Sequence, residues 1–594
     1  MTASSAWTNG EQRRTLGGGG WTVEVIDASV DHIAYEGHEI LRALRVIVRD
    51  HDWRTIPATI DELVVDVQSS DEVVVTLRGH HEGLGVGDEW SGRLRLLAGR
   101  LTFDFSLEAA SEFRRNRIGV VILHPARLAG RPFTLVHPDG SRTESTYPVD
   151  IAPHQPARDI AGLRWDDGCH RIDLSLDGDV FEMEDQRNWT DSSFKTYSTP
   201  LSLPFPVLVH PGDRVAQSVE LRVSSVSAAS TGSPPSHPSP ETGDVPSTVG
   251  LVATSRVVPE TAVGASTAPG PAPASLPWMV GVDVLVELDL RDPGWEHALA
   301  RASAEADQAR LDVRLIADRA DQLDEAVIAL RGVVPRRVGV FDAATHVTTE
   351  LLWIRLVDLA RQEHLDASLV GGTRAHFTEL NRSQASLPGG LGGVTFSLTP
   401  QMHDTSTDQV VESLDIQRLV ARQATRIAAG RPVHIGPVTL RARFNAVATS
   451  AAHFPASVVI ETGYGAEFVW GSTDPRQSSE EFAAWLLASA VALSVEGVES
   501  LAFAESWGPR GFGDVDGTAF PAATVLGWLA EIAGMPVVEI ESPPRGVAVL
   551  AARRPDGVAV VLLANVSSQP QPISVLARAL VLPPLRVERL EIVT

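Results

Sequence analysis

The segment RRVGVFDAATHVTTELLWIRLVDLARQEHLDASLVGGTRAHFTELNR, residues 336–382, decides how this chain folds. RRVGVFD (336–342) is a short β-branched run, and TTELLWIRLVDLARQEH repeats apolar residues at helical spacing. LDASLVGG (365–372) is a second apolar run that ends on glycines. Strand, helix and strand in succession form the unit of a parallel sheet. The rhythm continues outward on both sides. MVGVDVLVELD (279–289) and DVRLIAD (312–318) precede the segment. GVTFSLT (393–399), VHIGPVTLRAR (433–443), VESLAFAE (498–505) and MPVVEIE (535–541) follow it. Helical patterns such as WEHALARASAEADQARL, TDQVVESLDIQRLVARQATRIAAG and SEEFAAWLLASAVALSV lie between several of them. Eight strands in about 265 residues predict a (β/α)8 TIM barrel over 277–543. A doubly wound sheet is the second architecture, but no Gly-rich dinucleotide turn follows the first strand.

The flanks read differently. Residues 1–224 hold many short alternating runs, among them HEILRALRVIVRD, EVVVTLRG and IGVVILHP, which predict an N-terminal β-sandwich domain. Residues 225–276 are rich in Pro, Ser, Ala and Gly and read as a linker. Within them VGLVATSRVVPE has the pattern of a strand that docks back on a neighbouring sheet. Residues 544–594 read as short antiparallel strands around a PDG turn, a small C-terminal β domain. The expected fold class is therefore multidomain, α/β plus β.

Composition narrows the chemistry. The 594 residues carry 50 Lys+Arg against 75 Asp+Glu, a net charge of −25, which argues against nucleic-acid or anionic-membrane partners. One cysteine, Cys169, excludes a disulfide framework and multi-cysteine metal sites. No apolar run approaches the ~20 residues of a membrane helix. The start lacks the apolar core of a secretory signal, so a cytoplasmic protein is expected. No GxSxG, HExxH or GxxxxGK[ST] motif occurs, and no cofactor is expected.

Two acids fall where a barrel does its chemistry. Glu379 lies shortly after the fourth expected strand and Glu505 ends the seventh. Two carboxylates across a barrel mouth can divide acid and base roles. The alternative is that both are strand-end ion-pair partners. The arrangement is similar to barrel glycoside hydrolases with glutamates after strands four and seven, although Asn381 follows Glu379 by two positions instead of preceding it. In that reading Glu505 is the nucleophile and Glu379 the acid/base of a retaining enzyme. His403, Asp404, Arg443, Asn445, Asp474, Arg476, Gln477, Trp507 and Arg510 cluster at other strand ends, a plausible polyol-binding surface. His376, Glu379, His403 and Asp404 are an alternative metal set with unspecific spacing.

FEMEDQRNWTDSSFKTYSTPLSLPFP (181–206) is denser in charge and aromatics than a strand or helix face requires. It holds Glu184, Asp185, Arg187, Asn188, Trp189, Asp191 and Lys195, which is the single lysine among 50 cations. An ammonium kept in a chain that otherwise uses arginine suggests a site that needs one. The competing reading is an ion-pair network that fastens sandwich to barrel. Asp185, Arg187, Lys195, Asn381, His403, Arg443, Asn445 and Trp507 are the expected substrate-binding residues, with Glu379 and Glu505 catalytic and no metal.

These stretches resemble the D-apionate lactonase family of bacterial apiose catabolism. The matching pieces are VILHP (121–125), residues 181–206, GGTRAHFTELNR (371–382) and PQMHD (400–404). PVTLRARFN (437–445), DPRQ (474–477) and ESWGPRG (505–511) complete them, with Pro509 departing from the family pattern. The resemblance implies an N-terminal β domain, a TIM barrel and a C-terminal β domain. It also implies hydrolysis of a branched aldonolactone to the free acid, and it carries no catalytic residues over. For a lactone, one glutamate would activate water and the other would protonate the ring oxygen, with Arg or Lys and Asn holding the oxyanion. Beside this lactonase reading stand the glycoside hydrolase and a non-catalytic carbohydrate-binding protein. The partner is a small-molecule sugar lactone or glycoside in the first two.

Overall fold

The computed structural model describes residue 7 and residues 13–225, 247–249, 251–268, 270–306, 310–448, 473–540, 543–575 and 578–593. Residues 13–225 form two stacked antiparallel sheets of ten and nine strands. The alternation read from the sequence is explicit in the burial: Val86–Leu97 and Arg100–Ala109 bury every second residue. Trp21, Phe133 and Trp165 fill the space between the sheets. The ten-stranded sheet matters most for function. Its neighbours His38–Asp50, Phe113–Pro125, Ser193–Tyr197 and Phe181–Asp185 turn one face outward, toward the barrel.

The barrel closes with eight parallel strands: β1 (Glu260–Gly264), β2 (Asp283–Asp289), β3 (Leu311–Ala317), β4 (Arg337–Asp342), β5 (Ser368–His376), β6 (Val394–Leu398), β7 (Val433–Val438) and β8 (Val498–Glu505). Helices α1 (Trp295–Ala306), α2 (Leu323–Leu330), α3 (Glu350–Gln362), α4 (Phe377–Ser383), α5 (Thr407–Ala428), α6 (Glu480–Leu493) and α7 (Ala522–Ile532) cover it. Strands β3, β6 and β7 are buried along their whole length, as parallel strands with both faces covered must be.

Two expectations are corrected here. The first barrel strand is ETAVG (260–264), inside the stretch expected as a linker; it pairs with β2 and β8. MPVVEIE (535–541) is not a barrel strand. Its core, Pro536–Ile540, pairs antiparallel with Leu251–Val257 and with Val547–Arg553. Glu379 therefore follows the fifth strand and Glu505 ends the eighth, so the comparison with glutamates after strands four and seven does not carry over. The docking strand expected in VGLVATSRVVPE is present as Leu251–Val257. It opens a five-stranded sheet completed by Pro536–Ile540, Val547–Arg553, Val558–Asn565 and Arg586–Val593, facing a three-stranded sheet. The barrel is thus inserted between the first two strands, in chain order, of that five-stranded sheet. Among the described residues no helix is long and apolar enough to cross a membrane.

Candidate active site

The sandwich leans over the C-terminal ends of β5 to β7, and the two domains enclose a cleft of about 830 Å3. One wall is the outward face of the ten-stranded sheet. Period-2 alternation brings Ala43, Arg45, Ile47 and Arg49 onto it from one strand, Arg117, Val121 and Leu123 from the next, and Lys195 and Tyr197 from the third. The opposite wall is the loop after β6, which carries Gln401, His403 and Asp404, together with Arg382 of α4 and Arg441.

Two pairs of groups face each other in this cleft. Lys195 Nζ bonds Glu184 Oε2 and lies 4.8 Å from the Tyr197 ring centroid. The strands of Glu184 and Lys195 are in direct register, which fixes the pair. Across the seam, His403 Nδ1 lies 2.6 Å from Asp191 Oδ2. A carboxylate only accepts, so Nδ1 carries the proton and Nε2 is left as an acceptor. Trp189 forms the corner between the pairs, with its ring 5.9 Å from His403 and 6.0 Å from His376. Arg382 reaches Glu184 Oε1 at 3.7 Å and lies 5.8 Å from the Trp189 ring.

The electrostatics follow from burial and pairing. Burial would raise the Glu184 carboxyl, but Lys195, His403 and Arg382 outweigh it and hold it far below the usual range. Burial lowers Lys195, opposed by Glu184 and assisted by Arg49. Burial also lowers His403 while Asp191 opposes the shift, so the imidazole is a neutral base at neutral pH.

The other expected residues divide into two groups. Asp185, Arg187 and Asn381 lie in the seam. Arg187 grips Asp185 at 2.7 and 2.8 Å and donates to Pro148 O, and Asp185 accepts from the Ala152 N–H. Asn381 donates to Asn188 Oδ1 at 2.9 Å and to Ile151 O at 3.0 Å. Asn445 also crosses the seam and donates to Asp52 O at 2.7 Å. Here the fastening network foreseen for 181–206 is real, while Lys195 in the same segment lines the cleft. The segment thus faces the seam with Asp185 and Arg187 and the cleft with Glu184 and Lys195.

The second group sits at the barrel mouth. Arg443 and Arg374 both pair with Glu287 of β2, at 2.7 and 2.8 Å. A bulge in β5 after Gly372 delivers Arg374 there. Gly372 has φ +125, and a Cβ would meet Thr395 O at 2.5 Å, so only glycine fits. Glu505 pairs with Arg510 at 2.5 Å and accepts from Thr267 Oγ1 at 2.9 Å. Glu379 lies in the first turn of α4, where burial pushes it up to about 7 and one carboxyl oxygen is buried without a partner. No hydrogen bond or ion pair joins Glu379 to Glu505 among the described residues. Trp507, expected as a sugar platform, is fully buried instead, with its indole N–H on Glu305 at 3.0 Å and Arg301 over its ring.

The four residues considered for a metal disperse: His403 turns to Asp191, Asp404 to Arg45 at 2.6 Å, and His376 to Trp189. No three His, Cys, Asp or Glu side chains gather as a ligand set among the described residues. Sequence reasoning missed Arg45, Arg49, Trp53, Arg117, Glu287 and Arg382. An available signal was the Arg45/Arg49 spacing, since i and i+4 on a strand share a face.

Comparison with known proteins is consistent along the chain. Residues 2–226 match the N-terminal domain of D-apionate lactonase, 271–534 its TIM barrel domain, and 544–590 its C-terminal immunoglobulin-like domain. A D-apionate lactonase from Brucella anthropi is 29% identical over 617 aligned positions, covering 96% of this chain and 95% of that protein. Solved structures resemble it more remotely. An alpha-galactosidase from Lactobacillus brevis covers 93% of this chain and 89% of its own at 8% identity and a TM-score of 0.27. A galactose mutarotase-like protein from Lactobacillus casei covers 36% of this chain and 100% of its own at 10% identity and a TM-score of 0.26.

Proposed function

The chain belongs to the D-apionate lactonase family, and from that premise we propose that it opens D-apionolactone, or a closely related branched aldonolactone, to the free acid in the cleft between sandwich and barrel. The observation that carries this reading is the pair of charge-bearing couples, His403–Asp191 and Lys195–Glu184, within one cleft. Ester opening needs a base for water, a cation for the oxyanion and a proton for the leaving oxygen.

His403 supplies the base. Its Nε2 takes a proton from water as the oxygen attacks the lactone carbonyl carbon, and Asp191 stabilises the imidazolium that forms. Negative charge moves to the carbonyl oxygen, where the Lys195 ammonium stabilises it. Glu184 keeps that ammonium charged and positioned, because an unpaired lysine at this depth would shed its proton. Collapse of the tetrahedral intermediate breaks the bond to the ring oxygen, which takes the proton back from His403. The products are a freed hydroxyl and the aldonic acid, which releases its proton to solvent and leaves as the carboxylate. In this proposal Glu505 and Glu379 act at a distance from the reaction, as an ion-pair partner and a helix-end acid.

The test is acid release in a pH-stat from D-apionolactone, with aryl glycosides in parallel. Acid release with silent glycosides is expected. Glycoside turnover without lactone opening would overturn the proposal.

A further inference from the structure

Cations along the cleft are almost all matched. Arg42 has Glu412, Arg45 has Asp31 and Asp404, Lys195 has Glu184, and Arg441 has Asp474. Arg49 and Arg117 differ. They are direct partners on adjacent antiparallel strands, a placement in which like charges repel. Arg49 makes no hydrogen bond or ion pair among the described residues, and burial lowers its pKa. Arg117 is 5% exposed. Its Nη1 donates to Asn116 O at 2.6 Å, while Nε and Nη2 are buried with no partner. The guanidinium is held among Trp53, Phe205 and Tyr197, at 5.0, 5.7 and 5.9 Å from their ring centroids. Glu182, whose charge Arg117 feels, is already engaged by the Tyr197 hydroxyl and the Leu201 N–H.

Arg49 feels the Glu184 and Asp191 charges, but these carboxylates are engaged by Lys195 and His403. Two adjacent, largely desolvated guanidiniums with no carboxylate in ion-pair contact are costly unless an anion joins them. Donor N–H groups fixed in plane suit a carboxylate. Resting on the lactone-opening reading, we propose that Arg49 and Arg117 form a carboxylate subsite that holds the sugar acid released in the cleft. Arg49 lies within electrostatic reach of both Lys195 and His403, so the subsite borders the reaction centre. The Trp53 ring beside it offers an apolar face to the sugar chain. The same subsite admits lactones that carry a free carboxylate outside the ring ester.

Isothermal titration of the full chain with D-gluconate tests this, with D-glucitol as the neutral control and sulfate as the simple anion. Gluconate should bind and glucitol should not. Arg49→Gln and Arg117→Lys, each with unchanged circular dichroism, should weaken gluconate about tenfold. Should Arg117→Lys misfold, Arg49→Gln, at a partly exposed position, decides alone. Equal gluconate affinity in a folded variant overturns the subsite, and so does sulfate binding as tightly as gluconate. Gluconate binding that depends on the arginines in a protein inert toward every lactone would leave the subsite standing and sink the hydrolase reading.

Discussion

Replacing Asp191 by Asn separates the orienting role from the catalytic one. Asp191 Oδ2 lies 2.6 Å from His403 Nδ1, the short end of the range for a charge-assisted hydrogen bond. The amide keeps the volume of the carboxylate but loses its charge, and it can present an N–H where an acceptor is needed. A hydrogen bond to a group that becomes charged contributes about 1.5–3 kcal/mol. Lost only in the transition state, that corresponds to about a 10- to 150-fold fall in kcat with little change in KM. The pH profile carries the more specific signature. His403 must be neutral to act, so its titration sets the acid limb of kcat/KM; burial already sets that limb below the ordinary histidine value, and Asp191 moderates the shift. Without Asp191 the limb should move further toward acid while the plateau drops. Initial rates of lactone opening between pH 5 and 9 read both quantities. An Asp191→Asn protein with an unaltered acid limb and plateau would refute the role given to His403.

Three further outcomes are expected. Glu379→Gln should change kcat by less than about tenfold, and folded Glu505→Gln likewise, because a general acid or base contributes about 10²–10⁴; pH-stat rates showing a loss beyond ~10³ in both would return the chemistry to the paired glutamates. Asn381→Ala strips hydrogen bonds from the buried seam around Asn188 and Gln423, so calorimetry should show a loss of about 1–3 kcal/mol. Burial holds His124, His376 and His434 down to about 3 and His346 to about 4. The unfolded chain takes up those protons first, so stability is lost as pH falls from the ordinary 6.5 toward these values, by about 1.3 kcal/mol per histidine at pH 5.5. Glu379, raised to about 7, has the opposite sign and returns about 1.5 kcal/mol over the same interval. A net loss of about 3.5 kcal/mol between pH 7 and 5.5 should appear as a lower Tm.

The layered architecture was legible because burial periodicity is local: alternation in Arg100–Ala109 and continuous apolarity in β6 are written in consecutive residues. The barrel's first strand was not, because five residues after Pro259, set in Pro- and Ala-rich sequence, carry too little pattern to stand out from a linker. Conversely, MPVVEIE has the composition of a buried parallel strand, and only its pairing with Leu251–Val257 reveals an antiparallel one. At the candidate site, Lys195 was legible as the single lysine and His403 as a polar residue at a strand end. The bond from His403 to Asp191 was not, since it joins side chains 212 positions apart on different domains. Arg49 and Arg117 each sit in an alternating strand, where a lone arginine reads as solvent-facing until the barrel is seen to cover that face.

The insertion of the barrel into the C-terminal sheet sets an order on synthesis. Leu251–Val257 leaves the ribosome early, yet its sheet partner Pro536–Ile540 follows roughly 280 residues later. At about 5–20 residues per second, that strand waits on the order of tens of seconds with an unpaired edge. The sandwich can complete itself during this interval, and the barrel must gather while one end of its own chain is still waiting to be capped. A stop codon placed just after the barrel would leave that early strand permanently unpaired, so the small terminal domain cannot be trimmed away as an appendage.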